Sequence, residues 1–217
     1  FFSDIIGFTT ISEQMEAEDL SNFLNFYLTN MCDIALRYGG TIDKFIGDSL
    51  MIFFGDPETK GAKEDAAACC DMALEMLAFL ESNQQHFQET YNFPEKLEVR
   101  VGIHNGLCNV GNFGSAQRLD YTAIGRAVNV ASRLEQAAPK NSILVSSTVR
   151  NLIKNKFETS SPIEVKAKGI DKPIASYVLT KITSESKKVT KEIDGFKLEY
   201  DPQKIDRKTL LKIIDEL

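Results

Sequence analysis

Between Glu16 and Arg37, Leu20, Phe23, Leu24, Tyr27, Leu28, Met31, Ile34 and Ala35 recur at helical spacing. The pattern predicts one long amphipathic helix, stopped by Gly39 and Gly40. Two short β-prone runs follow, Thr41 to Ile46 and Leu50 to Phe54, joined by Gly47-Asp48-Ser49. A glycine at such a bend predicts a hairpin with Asp48 at its tip. The helical period returns from about Lys63 to Tyr91, with Ala66, Cys70, Ala73, Leu77 and Leu80 on its buried side, and Pro94 marks the exit into a strand over Leu97 to His104. A hairpin partner is expected over Leu107 to Gly111 and a flexible loop over Gly111-Asn112-Phe113-Gly114-Ser115. A short helix over Ala127 to Ala138 ends before Pro139, and strands near Ile143 to Val145, Pro162 to Val165 and Ala175 to Leu179 close the domain. This order predicts an α+β fold, an antiparallel α/β sandwich of ferredoxin-like type.

The two ends qualify that picture. Phe1-Phe2-Ser3-Asp4 reads as the end of a buried strand whose beginning is missing, so the chain is expected to be a piece of a longer protein with regulatory domains upstream. Beyond Thr183, Ser184-Glu185-Ser186-Lys187-Lys188 has no apolar period and reads as a linker. The expected division is a catalytic domain over 1–182 and, over 183–217, a linker and short extension with Phe196 to Tyr200 and a helix from about Asp206 to Leu217.

Composition narrows the classes of function. The 217 residues suit one good-sized domain, and 43% hydrophobic content is enough for a sizeable core. A formal net charge of −6 argues against a nucleic-acid or anionic-membrane surface, which would need a basic face. No apolar run approaches the roughly 18 residues that span a bilayer, and no charged leader precedes a hydrophobic segment. A cytoplasmic fragment without membrane contact is therefore expected, any anchor being left to the rest of the protein. Cys32, Cys69, Cys70 and Cys108 form no CxxC pair and have only His86 and His104 beside them, so they read as buried thiols rather than zinc ligands.

Two carboxylates carry the candidate chemistry. Asp4 ends an apolar strand and Asp48 tips a hairpin whose apolar strands are expected beside it. Converging there, they would suit magnesium or manganese, hard cations that take one or two carboxylates plus substrate phosphates. On spacing alone the alternative stands equally well: Asp4 caps the following helix and Asp48 is a turn former.

A series of blocks in fixed order bears on that choice. Phe2-Ser3-Asp4-Ile5-Ile6-Gly7-Phe8-Thr9 resembles the metal-binding opening of class III nucleotide cyclases, and Lys44-Phe45-Ile46-Gly47-Asp48 resembles their second block. Arg100 to Gly106, Gly111 to Ser115, Asp120 to Gly125 and Val128 to Glu135 continue the match over roughly residues 1 to 180. The resemblance implies that Asp4, Asp48 and the backbone carbonyl of Ile5 hold two magnesium or manganese ions. The implied reaction converts ATP to cyclic AMP and pyrophosphate through attack of the ribose 3′-hydroxyl on the α-phosphate.

The same resemblance assigns the remaining residues. Lys44 would donate to an adenine ring nitrogen where guanine-selective members carry an acid, and Thr122 would be its partner in base recognition. Asn129 and Arg133, four apart and so on one helical face, would orient the ribose and stabilise the phosphoryl group in the transition state. Without the resemblance, Arg133 reads as a surface arginine paired with Glu135. Lys166, or its neighbour Lys168, would contact the β- and γ-phosphates, although Ala167 and Arg126 depart from the usual pattern. Metal carboxylates and base-reading residues of one site come from different subunits in this family, which implies a homodimer with two sites at its interface. Three other readings have weaker support. A diguanylate cyclase or polymerase-palm relative fails at Thr41-Ile42, where acids would be needed; a guanylate cyclase is opposed by Lys44; a silent regulatory dimerisation module is opposed by retention of every expected catalytic group.

Overall fold

The computed structural model describes residues 1–165, 173–182, 189–193 and 196–200. The chain divides into two units, Phe1–Thr180 and Lys181–Leu217. The predicted linker at 184–188, the predicted C-terminal helix, Lys166 and Lys168 lie outside the described residues. In the second unit, β11 (Val189–Ile193) pairs antiparallel with β12 (Phe196–Tyr200).

The first unit opens with β1 (Phe2–Ile5), α1 (Phe8–Gln14), α2 (Ala17–Arg37), β2 (Thr41–Ile46), β3 (Ser49–Phe53), α3 (Ala62–Ser82), α4 (Gln84–Tyr91) and β4 (Val99–Ile103). The strands lie in the order β2-β3-β1-β4, each antiparallel to its neighbour, which is the ferredoxin-like arrangement. The sheet continues through β7 (Ser142–Ser146), parallel to β4, then β10 (Ile174–Ile182) and β8 (Phe157–Thr159), with β9 (Ile163–Val165) also on β10. Between β4 and β7 run β5 (Asn109–Ser115), β6 (Arg118–Ile124) and α5 (Arg126–Ala137), and α6 (Ser147–Ile153) follows β7.

Strand alternation divides the core into two layers. Val99, Val101 and Ile103 join Ile5, Leu50 and Ile52 beneath α2 and α3, where Phe23 sits wholly buried 4.6 Å from the Phe93 ring. Burying each such side chain contributes about 1.5–3 kcal/mol. The intervening residues Arg100 and Gly102 turn to the opposite face and meet α5. Phe2, Met51, Ala123 and Ala131 form a smaller cluster with Val110 and Val128.

Four expectations are corrected. The helix over 63–91 is two helices, because Asn83 donates its side-chain amide to Phe79 O and takes a non-helical backbone, restarting the chain at Gln84. Leu107–Gly111 does not pair with β4, and Gly111–Ser115 is not a loop: β5 and β6 form their own two-stranded sheet. Glycines there read as breakers, yet the ladder needs only backbone groups, and Gly114 (φ +151) places Arg118 O where a Cβ would stand. Cys69 and Cys70 are buried, but Cys32 is half-buried and Cys108 exposed. Finally, α1, α6 and β8 carried no sequence signal strong enough to predict them.

Candidate active site

The register of β1 on β4 sets Asp4 opposite Arg100. Alternation then points both side chains to the α5 face, where Arg100 Nη2 lies 2.9 Å from Asp4 Oδ2 and Arg100 Nε 3.4 Å from Glu135 Oε1. The second contact is an ion pair but not an aligned hydrogen bond, leaving Arg100 Nε and Glu135 Oε1 buried without a hydrogen-bond partner. Burial, with Asp4 nearby, pushes the Glu135 carboxyl up to about 7 against the pull of Arg100.

Asp48 comes to the same place from the β2–β3 turn, where Gly47 (φ +65) takes the left-handed conformation. The Ile5 amide donates to Asp48 Oδ2 at 2.8 Å, tying the hairpin tip to the end of β1. Ser49 donates to the other Asp4 oxygen. Burial raises the Asp48 carboxyl to about 6, opposed by the Ile5 hydrogen bond and reinforced by Asp4. Asp4 does not cap α1: the cap position is Gly7. Two converging carboxylates beside the Ile5 backbone form a hard-oxygen set whose mutual repulsion a divalent cation would relieve, so the residues fit the metal reading. Among the described residues no group of three or more His, Cys, Asp or Glu side chains is placed to hold a metal. The fit therefore rests on two carboxylates and a carbonyl.

A second cluster lies on β2 and β6. The ladder of β2 on β3 skips at Asp43: Ile42 faces Ile52 and Lys44 faces Met51, so Asp43 is the extra residue of a β-bulge. The bulge aims its carboxylate at β6, where both oxygens accept from Thr122 Oγ1 at 2.8 Å and Oδ2 accepts from the Ala123 amide at 2.8 Å. Lys44 Nζ stands 3.2 Å from Asp43 Oδ1. The structure thus brings Lys44 and Thr122 together through a wholly buried side chain that the sequence reading passed over.

Asn129 is exposed on α5, and Arg133 on the same helix donates to Gln136 Oε1 at 2.7 Å rather than pairing with Glu135, which is engaged by Arg100. Arg100, Glu135 and Asp43 are the residues the sequence reading missed. The available signal was charge inside a short strand: Arg100 alone among apolar residues and glycine in Val99–Ile103, and Asp43 beside Lys44 in Thr41–Ile46.

Known proteins share this fold. The adenylate and guanylate cyclase catalytic domain family matches residues 1–181. The crystal structure of the adenylyl cyclase CyaB from P. aeruginosa superimposes with a TM-score of 0.81 at 46% identity, over 85% of this chain and 93% of that one. The guanylate cyclase domain of RhGC from Catenaria anguillulae in complex with GTP gives 0.75 at 27% identity, over 84% and 94%. An adenylate cyclase of Anabaena cylindrica is 37% identical over 181 residues, which are 81% of this chain and 35% of that protein. The chain belongs to the adenylate and guanylate cyclase catalytic domain family, and is an enzyme domain of the nucleotide cyclase class. It spans about a third of the length of its Anabaena relative, and domains of this family are generally metal-dependent. Among the described residues no helix is long and apolar enough to cross a membrane.

Proposed function

We propose that this domain is an adenylate cyclase, converting ATP to 3′,5′-cyclic AMP, pyrophosphate and a proton. The observation that carries the choice of base is Lys44, a cationic donor held beside Thr122. Its ammonium has three N–H donors and no acceptor, so it pairs with the N1 lone pair of adenine and not with the N1–H of guanine. Similarity to the adenylyl cyclase CyaB supports the same reading.

In the reaction the ribose 3′-oxygen bonds to the α-phosphorus as the bond to the β-phosphate oxygen breaks. Because attack is intramolecular, folding the ribose into line supplies much of the acceleration. Asn129 orients the ribose, Arg133 places guanidinium charge against the phosphoryl oxygens, and Lys166 is assigned to the β- and γ-phosphates. Asp4, Asp48 and the Ile5 carbonyl would hold two magnesium or manganese ions, which when bound supply Lewis-acid charge at the 3′-hydroxyl and the triphosphate.

We assign the working unit as a homodimer with a site at each end of the interface. The carboxylate cluster sits at β1 and the β2–β3 turn and the Lys44–Thr122 cluster on β2 and β6, and we assign one cluster from each chain to each site. The exposed apolar residues Phe45 and Ile46 on β2 and Leu119, Tyr121 and Ile124 on β6 flank the base-reading pair and suit a covered seam. Incubating the purified chain with manganese and either ATP or GTP tests the substrate. Cyclic AMP and pyrophosphate from ATP are expected; cyclic GMP as the main product, or no cyclic nucleotide, would refute the proposal.

A further inference from the structure

We propose that Asp43 is the specificity-setting positioning residue of the base pocket, fixing Thr122 as an acceptor and Lys44 as a donor so that the pair is complementary to adenine. This rests on the reading of the domain as a nucleotide cyclase that uses Lys44 and Thr122 for the base.

A threonine hydroxyl is ambiguous, since it can donate or accept. Here the ambiguity is removed. The Asp43 side chain is wholly buried and acceptor-only, and Thr122 Oγ1 lies 2.8 Å from both its oxygens, so the hydroxyl proton points at Asp43. Only lone pairs are left for a ligand, and among the described residues no group donates to them. A threonine held this way offers what a carboxylate would offer, without the charge. It accepts from the 6-amino group of adenine, whereas the 6-oxo group of guanine would meet lone pair against lone pair.

The same carboxylate serves Lys44. Its Oδ1 holds Lys44 Nζ at 3.2 Å, so the donor and the acceptor hang from one side chain and present neighbouring contacts to one purine edge. Placement of that side chain is built into the backbone. Asp43 is the unpaired residue of the bulge, and the Ala123 amide locks its Oδ2 at 2.8 Å. A residue kept only to join β2 to β6 would need one hydrogen bond across the gap, and would not need to sit on both base readers.

Asp43→Asn tests the assignment. The amide oxygen must take the Ala123 N–H, which turns the Nδ2 group toward Thr122 and Lys44. Thr122 then accepts from Nδ2, which takes up a lone pair the base would use, while Lys44 loses its anionic partner. The ratio of kcat/KM for ATP over GTP is expected to fall at least tenfold from wild type. A merely structural role would lower both nucleotides alike and leave the ratio within about twofold, which would overturn the proposal. If Asp43→Asn fails to fold, as judged by circular dichroism, Thr122→Val removes the acceptor with Asp43 intact. The same tenfold fall is then expected, and an unchanged ratio would overturn the proposal. Wild-type chain that makes no cyclic nucleotide, or prefers GTP, defeats the adenylate cyclase reading itself. A wild-type preference for ATP that survives in a folded Asp43→Asn chain defeats this assignment alone.

Discussion

Gly102→Ala concentrates the link between packing and catalysis in one methyl group. Gly102 is the fourth of the five residues of β4, on the face that receives α5. A Cβ there would stand 2.7 Å from Glu135 Cα and closer still to Glu135 N and Ala131 O. Carbon atoms settle at about 3.5–4.0 Å, so α5 would have to retreat by about 1 Å. The obstructing atoms are backbone, and no side-chain rotation relieves them. Overpacking of this kind costs about 1–3 kcal/mol, or a melting temperature lowered by about 2–12 °C for a domain of this size. The retreat carries Asn129, Arg133 and Glu135 with it, and a misplacement of about 1 Å in a catalytic array lowers turnover about 10²-fold. Thermal unfolding and initial-rate kinetics with ATP on the same preparation measure both effects. Gly111→Ala, where the nearest atom outside the adjoining residues is Phe113 Cε2 at 3.9 Å, controls for the stability change. Gly102→Ala with wild-type melting and wild-type turnover would refute the close-approach argument.

Two further predictions use the charges of the site. Asp48→Asn keeps an acceptor for the Ile5 amide but removes a carboxylate whose ionised form is disfavoured by burial and by Asp4. Without metal at pH 7 it should stabilise the fold by about 0.5–1 kcal/mol after allowance for solvent screening, while abolishing turnover; a lower melting temperature would contradict this. His104, hydrogen-bonded to Ser146 Oγ at 2.9 Å, is lowered from 6.5 to about 4 by burial first, with the positive charge of Arg126 adding to it. The unfolded chain binds this proton more readily, so the contribution is fully present above pH 6.5 and is lost as pH falls toward 4. Between pH 7 and 4, wild type should lose about 1–2 kcal/mol more than His104→Gln, after discounting for exposure; parallel urea-denaturation profiles would refute this.

The elements legible in the sequence were those whose periodicity and punctuation agreed. The Leu20–Ala35 stripe gave α2, and Gly47-Asp48 gave the hairpin that carries Asp48. The glycine-rich run at 111–115 hid a strand because backbone pairing leaves no side-chain pattern. Among site residues, Asp4 and Asp48 stood out at element ends, where a carboxylate is conspicuous. Arg100 and Asp43 did not, because their roles arise from partners distant in the chain: Asp4 lies 96 residues from Arg100, and Thr122 lies 79 from Asp43. The bulge that aims Asp43 is a property of strand pairing and has no counterpart in a single-strand reading.

Complementation between two inactive chains tests shared-site ATP cyclisation most directly. Asp48→Ala removes the carboxylate half and Arg133→Ala the half to which we assign Lys44, Thr122, Asn129 and Arg133, so each homodimer should be inactive. Mixed after dissociation and reassociation, half the dimers pair one chain of each kind, and one of their two sites is intact. Cyclic AMP formation should therefore return to about a quarter of the wild-type rate per chain. A mixture as inactive as its parents, or an Asp48→Ala chain with wild-type turnover alone, would contradict the account.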